Sequence, residues 1–432
     1  MILESEYKDR RDILASKLSK NSVTVIYSAD YKIRSNDTEY PYRQNSNFYY
    51  LTGFKEDNSI LVILKTDKGC KTLLFVEKKD PQKELWSGKR LGKKEAKKRF
   101  LVDKVFENSK FDIKLKEYLL FCNHLYYDFK IDDSKVNILK KYSKNIYTYK
   151  NIAKTINKMR LIKSSSEIAL IKKAIEITKE AHHKAMKFKK LEKNEYQLQA
   201  EIEYIFKKNG AYSDAYSSIV AGGNSANTLH YIDNNKEFVD GDLILIDAGC
   251  EYDYYSSDIT RIIPVNAKFL DAQKEIYDLV LSVELEIIKM IKPNIKRSKL
   301  QKKSEKLLCK GMIELGILKG DYKQLIKDKK HKKYYPHGIG HWMGLDVHDE
   351  SPYKDENGDE IPLAEGMVLT IEPGIYCDEN DKTIPKKYRG IGIRIEDDIL
   401  VTKNGYENLS AAIAKTVQEI ESISTHISMP MK

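Results

Sequence analysis

Acidic residues interrupt the apolar, strand-like runs in the second half of the chain. Asp247 ends one such run, and Asp258 opens the next run 11 residues later. Glu372 ends the apolar run of VLTIEPG, and Glu396 lies inside GIRIEDDI. Charged side chains are rare on buried strands, and a hairpin between the first two runs can bring Asp247 and Asp258 to one mouth. The pattern favours a fold whose strand ends meet at an acidic site, although each acid alone could be a turn residue or the partner of an arginine.

Three of the nine histidines fall close together in HGIGHWMGLDVHD, at His337, His341 and His348. A single histidine usually has a structural role, but three in so short a segment, next to strand-end acids, indicate a functional site. Four carboxylates with one imidazole form an oxygen-rich ligand set, which favours hard divalent cations such as manganese or magnesium over thiolate-bound zinc. Two such cations would neutralise the four carboxylates.

The charge balance of the chain is basic, with 75 Lys and Arg against 64 Asp and Glu and a net charge of +11. A protein that binds nucleic acid or a membrane surface would gather its basic residues into a stripe or a tail. The lysines here are interspersed with acids, so we expect them on solvated faces and expect neither nucleic acid nor a membrane as a partner. Lysine-rich runs such as Lys327–Lys333 are expected to be exposed loops.

The cysteines and the N-terminus indicate a compartment. The five cysteines are odd in number and contain no Cys-x-x-Cys pair, which is typical of a reducing environment rather than a disulfide framework. The first residues, MILESEYKDRRDILASKLSK, have no apolar core of a secretory signal, and no run approaches the roughly 18 apolar residues of a membrane span. We expect a cytoplasmic protein.

Alternating patterns predict an α/β layer domain up to about residue 150. Apolar runs predict strands at 23–27, 60–65, 71–77 and 125–129. Helical patterns cover 1–20 and the segments around 93–100 and 113–120.

A second unit begins near Arg160. Ser164 and Glu167 form a capping box at the start of a helix, and a second helix runs over about 194–208. Short apolar strands follow in SSIVAGG, DLILIDAG, DITRIIPV, MVLTIEP and GIRIEDDILV. A long helical stretch over about 272–318 separates them, with a break at Pro293.

Taken in order, these motifs resemble the aminopeptidase P (Xaa-Pro aminopeptidase) family, which shares the pita-bread metallopeptidase fold with prolidase, creatinase and methionine aminopeptidase. The matching segments are RSNDTEYPYRQNSNFYYLTGF, LWSGKRLG, MRLIKSSSEIALIKKA, VAGGNSANTLHY, LIDAG, SDITR, HGIGHWMGLDVHD, LTIEPGIY and GIRIEDDI. The resemblance implies an α/β (α+β) protein with an N-terminal domain over 1–155 and a catalytic pita-bread domain over 160–432.

The resemblance also implies a site with two divalent metal ions, manganese before others. The implied metal ligands are Asp247, Asp258, His341, Glu372 and Glu396, of which Asp258 and Glu396 bridge both metals. The residues implied to act in catalysis are His230, His348, Glu372 and Arg394. The residues implied to bind substrate are His230, His337, Tyr376, Asp37, Trp86 and Arg160.

The implied reaction is hydrolysis of the peptide bond between an N-terminal residue and a following proline, by a hydroxide that bridges the two metals. The partners are therefore peptides with proline at the second position. Because the bond to proline has no N–H, the pocket must accept the ring instead. The resemblance further implies a homodimer or homotetramer, with the N-terminal domain contributing to the neighbour's site.

Three other functions fit parts of the sequence. A prolidase would cleave only Xaa-Pro dipeptides, and the YPYRQNS and LWSGKRLG segments favour aminopeptidase P over it. A non-catalytic binding protein on the same fold would be expected to have lost ligand positions, and none is substituted here. A nucleic-acid binder is suggested only by the net charge, since no base-reading motif is visible.

Overall fold

The structure, a computed structural model, describes residues 1–187 and 193–425. The chain forms two compact units, Met1–Arg160 and Leu161–Lys432. Among the described residues, none of the helices combines the length and the apolar character that crossing a bilayer requires.

The first unit is built on a mixed six-stranded sheet. The strands of this unit are β1 (Ser22–Tyr27), β2 (Ile33–Ser35), β3 (Thr38–Glu39), β4 (Ile60–Thr66), β5 (Gly69–Val76), β6 (Lys104–Glu107), β7 (His124–Tyr127) and β8 (Thr148–Asn151). The sheet order is β6-β5-β4-β1-β7-β8, while β2 and β3 form a separate hairpin. The four strands predicted for this region are confirmed to within two residues at each end.

Helices accompany that sheet. They are α1 (Glu4–Lys17), α2 (Ser46–Thr52), α3 (Pro81–Ser87), α4 (Gly92–Arg99), α5 (Phe111–Leu119), α6 (Asp133–Lys141) and α7 (Ala153–Arg160). The apolar core packs strand residues such as Val25, Val62 and Phe75 against Phe111 and Leu115 of α5. The helix patterns around 93–100 and 113–120 are confirmed as α4 and α5.

The second unit contains the longer helices. They are α8 (Ser165–Met186), α9 (Glu195–Lys208), α10 (Asp271–Ile288), α11 (Arg297–Glu314), α12 (Tyr322–Lys327) and α13 (Val417–Thr425). Ser164 Oγ accepts from the Glu167 amide at 3.2 Å, and Glu167 Oε2 accepts from the Ser164 amide at 2.9 Å. The predicted capping box is therefore confirmed. Pro293 lies between α10 and α11, as the sequence predicts.

Short antiparallel strands form four small sheets in this unit. The strands are β9 (Ser213–Asp214), β10 (Ile219–Gly222), β11 (Leu243–Asp247), β12 (Cys250–Tyr252), β13 (Tyr255–Ser256), β14 (Thr260–Pro264), β15 (Val368–Ile371), β16 (Gly374–Cys377), β17 (Ile391–Arg394), β18 (Asp397–Val401) and β19 (Tyr406–Asn408). The sheet orders are β10-β11-β14, β13-β12-β9, β15-β18-β19 and β16-β17.

Two expectations from the sequence are wrong. The segment GIRIEDDILV is two strands in different sheets, β17 and β18, and Glu396 lies in the break between them. The run Lys327–Lys333 is not a simple loop, since Lys327 is the last residue of α12 and a 3₁₀ helix spans Lys330–Lys333. Most of its lysines are exposed, as the sequence predicts. His331 within this run is buried, so the run packs on one side against the rest of the unit.

Candidate active site

Three of the predicted acidic ligands are brought together by the pairing of β11 and β14. The register places Asp247 opposite Thr260, and Asp258 lies two residues before Thr260. An isolated bridge then joins Thr260 to Glu396. The hairpin expected between Asp247 and Asp258 is present, and Gly249 within it has no room for a side chain because a Cβ would lie 1.9 Å from the Ser257 carbonyl oxygen.

The remaining two predicted ligands, His341 and Glu372, lie on neighbouring segments. Hydrogen bonds join the loop that contains His337, His341 and His348 to the end of β15. The Thr370 amide donates to the His341 carbonyl at 2.9 Å, and the Glu372 amide donates to the Ile339 carbonyl at 2.9 Å. Gly340 packs so closely on Thr370 that a Cβ would lie 1.9 Å from its carbonyl oxygen. This close contact explains why a glycine precedes His341, since any larger residue at position 340 would clash with Thr370.

The ligand atoms of the five predicted metal ligands lie close to one another. Three overlapping groups each have their atoms within 4.8 Å of one another: Asp247, Asp258 and Glu396; His341, Glu372 and Glu396; and Asp258, His341 and His348. His341 Nε2 lies 3.2 Å from Asp258 Oδ2 and 3.8 Å from Glu372 Oε1. The structure thus brings together Asp247 at the end of β11, Asp258 before β14, His341 in a loop, Glu372 directly after β15 and Glu396 in the β17–β18 break.

The electrostatics of this cluster are dominated by buried, crowded carboxylates. Burial, reinforced by the neighbouring acids, raises the pKa of Glu396 far above its usual range. Burial raises the pKa of Glu372 to about 7 and also raises the pKa of Asp247. Burial opposes protonation of His341, but the hydrogen bond and charge of Asp258 outweigh it and raise the pKa to about 9.

The protein supplies one basic side chain of its own to the cluster. Arg394 is the sole Lys or Arg among the described residues that line the cavity, and its Nη2 donates to Asp247 Oδ2 at 2.6 Å. One guanidinium does not balance four carboxylates. The surplus of hard oxygen donors around a single imidazole therefore fits the two divalent cations that the sequence resemblance implies.

Three further side chains orient the ligands and were not predicted. The Tyr216 hydroxyl donates to Asp247 Oδ1 at 2.6 Å, and Thr260 Oγ1 donates to Glu396 Oε2 at 2.7 Å. Asp398 Oδ2 accepts from the Asp258 amide at 3.1 Å. Thr260 and Asp398 could have been found, since each stands two residues after a ligand, but Tyr216 carries no signal in the sequence.

A cavity of about 320 Å³ opens beside the carboxylates. Its walls combine the predicted histidines with apolar side chains, and they include His230, His337, His348, Ile219, Leu229, Ile232 and Val347. The rings of His341 and His348 meet edge to face with centroids 4.0 Å apart. The cavity therefore offers both polar and apolar contacts to a ligand next to the cluster.

Tyr376 and His337 form a hydrogen-bonded pair in this region. Arg394 Nη1 donates to the Tyr376 hydroxyl oxygen at 2.9 Å, so the tyrosine proton is available to His337 Nε2 at 2.8 Å. Burial and the nearby Arg394 charge lower the pKa of His337 to about 3. His337 is therefore a neutral ring that accepts from Tyr376 and lies edge to face against it.

The other three predicted substrate-binding residues belong to the first unit. Asp37 is exposed in the β2–β3 hairpin, and Trp86 is 89% exposed near the end of α3. Arg160 is buried, and its Nη1 donates to Asn47 Oδ1 at 2.9 Å. Their roles stay predictions from the sequence resemblance.

The sequence of residues 169–403 matches Metallopeptidase family M24, and residues 7–126 match the aminopeptidase P N-terminal domain. The chain belongs to metallopeptidase family M24. The fold is therefore a pita-bread catalytic domain preceded by an aminopeptidase P-type domain, as the sequence resemblance implies.

Relatives within the family narrow the comparison to one group of enzymes. The chain is 40% identical to the Xaa-Pro aminopeptidase of Escherichia coli, covering 98% of both chains, and 38% identical to that of Haemophilus influenzae, covering 97% of both. It superimposes on the solved structure of E. coli aminopeptidase P with the inhibitor Pro-Leu with a TM-score of 0.94, at 39% identity over 98% of both chains.

Proposed function

We propose that this protein is a Xaa-Pro aminopeptidase, which hydrolyses the bond between an N-terminal residue and a following proline. The observation that carries the proposal is the cluster of four carboxylates and His341 with a single arginine, which opens into a cavity lined by His341 and three further histidines. The full-length similarity to enzymes of this name supports the substrate class.

We propose that the five clustered side chains hold two divalent metal ions, with manganese as the metal that suits their hard oxygen donors. Asp247, Asp258 and Glu396 would hold one ion, and His341 and Glu372 would complete the second set with the shared acids. When bound, these ions would polarise the scissile carbonyl and acidify the attacking water.

The chain's own residues then divide the remaining work. Glu372 lines the cavity and is the carboxylate positioned to take a proton from the attacking water and return it to the leaving nitrogen. His348, which meets His341 edge to face at the cavity wall, is a candidate donor to the developing oxyanion. His230, on the same wall, is a second candidate contact to the substrate.

The neutral pair of His337 and Tyr376 is suited to the proline ring. The uncharged imidazole of His337 lines the cavity and can contact the ring without requiring an N–H from the substrate. Tyr376 is only 5% exposed and is not among the lining residues; held by Arg394, it orients His337 through their hydrogen bond. The acidic cluster is the natural place for the free amine of the first residue, which accounts for exopeptidase action.

We also propose the division of labour between the two units and the assembly. Catalysis is assigned to the domain over 160–432. Contacts to the amino end of the substrate or to the pocket edge are assigned to Asp37 and Trp86 in the domain over 1–155 and to Arg160, the first residue of the domain over 160–432. The assembly is proposed to be a homodimer or homotetramer. A cytoplasmic location stays a prediction from the sequence.

The test is a peptide panel assayed with enzyme that has been stripped of metal and reconstituted with Mn²⁺. We expect cleavage of Xaa-Pro-Yaa tripeptides after the first residue, no cleavage of matched Xaa-Ala-Yaa peptides, and no cleavage by the stripped enzyme. Exclusive cleavage of Xaa-Pro dipeptides would identify a prolidase instead, and cleavage of neither substrate with bound metal would identify a binding protein.

A further inference from the structure

The net charge of the chain resides in one segment. Residues 292–333 contain 15 Lys and Arg against four Asp and Glu, a net charge of +11. The other 390 residues contain 60 basic and 60 acidic residues and have no net charge. The basic excess is therefore concentrated in the region of α11 and α12 rather than spread over the whole surface.

Within this segment, lysines occupy one face of α11. Lys299, Lys302, Lys303, Lys306 and Lys310 recur at helical spacing of three or four residues, so they point to one side. We call these five residues the lysine face. The opposite side of the helix is buried through residues such as Leu300, Ser304 and Leu308. The α11 lysines therefore lie on the solvent side of a helix anchored in the core.

The lysine face is not neutralised from within the chain. Among residues 1–187 and 193–425, no carboxylate oxygen lies within 4.0 Å of the ammonium group of any of its five lysines. Lys306 and Lys310 lie instead over the Tyr322 ring of α12, at 5.7 and 4.8 Å from its centroid. Lys323 and Lys327 of α12 extend the positive surface.

By contrast, several exposed lysines elsewhere have an acidic partner on their own helix. Lys114 pairs with Glu117 at 2.7 Å on α5, and Lys173 pairs with Glu176 at 3.0 Å on α8. The positive electrostatic potential of the α11 lysines is thus not reduced by a paired carboxylate. This potential attracts anionic ligands over a range of about 10 Å at 0.1 M salt.

We propose that the lysine face binds the phosphate backbone of duplex nucleic acid, without reading base sequence. Lysines one turn apart on a helix suit repeated phosphates as point charges. No large apolar side chain within described residues 292–333 is exposed, so the surface has no wedge for inserting into lipid. The Tyr322 ring is half-buried and lies beneath Lys306 and Lys310, which leaves it poorly placed to stack unpaired bases. Backbone contact to a duplex is the mode that remains, and it does not depend on the peptidase activity.

The experiment is fluorescence anisotropy with a labelled duplex of mixed sequence, about 20 base pairs long, titrated at several salt concentrations. We expect measurable binding at 50 mM salt, which weakens steeply as salt rises. The test variant is Lys299→Gln, Lys302→Gln and Lys306→Gln together. It should bind at least about 10-fold more weakly and flatten the salt slope by up to about 2.7, since each lost phosphate contact removes about 0.9.

The matched control neutralises three exposed lysines of another helix, Lys93→Gln, Lys94→Gln and Lys98→Gln on α4. It lowers the net charge equally, and we expect it to bind duplex like the wild type. Both variants should keep wild-type peptidase activity and the same melting temperature. An equal loss in the control, or no binding at 50 mM salt, would overturn the proposal. Tighter binding to vesicles rich in phosphatidylserine than to duplex would assign the lysine face to a membrane surface and would also overturn it.

Discussion

The second unit contains two acidic clusters, and the adjacent residues Glu396 and Asp397 belong to different clusters. Glu396 faces the cavity with Asp247, Asp258 and Glu372. Asp397, the next residue, is fully buried on the other side, because successive side chains of an extended strand point in opposite directions. The two carboxylates titrate in opposite directions: burial and neighbouring acids raise the pKa of Glu396, whereas Arg261 and Lys415 overcome burial and lower the pKa of Asp397.

The difference comes from the cations that the chain supplies. Arg261 Nη2 donates to Asp397 Oδ1 at 2.7 Å, and Lys415 contacts Asp397 and lies 3.4 Å from Glu284 Oε2. Two cations thus meet two acids in this cluster, which we call the internally neutralised cluster. The cavity cluster has four acids and only Arg394. One cluster is complete as folded, and the other is complete only when external cations bind.

The strongest test of this difference between the clusters is to remove Glu396, which belongs to two of the possible metal-ligand groups in the cavity cluster. Glu396→Ala should abolish metal binding and lower kcat/KM for a Xaa-Pro-Yaa peptide by at least about 10³-fold, because this carboxylate belongs to both of the ligand groups that would hold the two ions. Metal content of Mn²⁺-reconstituted protein and peptide hydrolysis measure the two effects.

The matched control for this loss is Glu407→Ala, which removes a 47% exposed carboxylate 11 residues further along the chain. It should keep wild-type metal content and turnover. Full metal occupancy together with wild-type turnover in Glu396→Ala would refute the assignment of Glu396 as a ligand.

Removing a cation from the internally neutralised cluster should instead damage the fold. Lys415→Met breaks the buried contact of Lys415 with Asp397 and leaves that carboxylate with Arg261 alone. Breaking a buried ion pair costs about 3 kcal/mol of unfolding free energy. Urea denaturation followed by circular dichroism measures this cost. Lys172→Met breaks the exposed pair of Lys172 with Glu407 and should cost less than about 1 kcal/mol. Equal midpoints for the two variants would show that the internal neutralisation does not stabilise the protein.

The sequence predicts the cavity cluster well and the internally neutralised cluster not at all. An acid that interrupts an apolar run is conspicuous by itself, which is why Asp247, Asp258 and Glu372 could be selected. The partners of Asp397 are not conspicuous, since Arg261 lies 136 residues away and Lys415 is one of many lysines. Which of them meets a buried acid depends on long-range packing that no local pattern encodes.

The same limit applies to the fold. Strands and capped helices follow from apolar periodicity and from Ser164 with Glu167, but the sheet orders rest on pairings between distant strands. The sequence pattern does not predict α12 or the 3₁₀ helix over Lys330–Lys333, because lysines dominate the composition of this segment. Asp321 caps α12 by accepting from two first-turn amides, at 3.0 and 3.1 Å, and Leu325 and Ile326 are half-buried. Those few residues suffice to fold a lysine-rich segment.

The smallest expected effect concerns pH and Glu284, the second acid of the internally neutralised cluster. Burial and the charge of Asp397 raise the pKa of Glu284 to about 8 in the folded protein, against 4.5 for an ordinary glutamate. As pH rises between these values, the unfolded chain releases this proton while the folded chain retains it, so this carboxyl makes folding progressively less favourable until about pH 8. Glu284→Gln mimics the protonated form and removes that loss. We expect the variant to gain at least about 1 kcal/mol of unfolding free energy relative to the wild type between pH 5 and pH 8, measured by urea denaturation at both values.

The matched control is Glu286→Gln, at a 52% exposed position two residues away, which should show no such gain. A gain of equal size there, or none in Glu284→Gln, would mean that the two cations already hold Glu284 in its charged form, and the cluster would then be neutralised more completely than the raised pKa indicates.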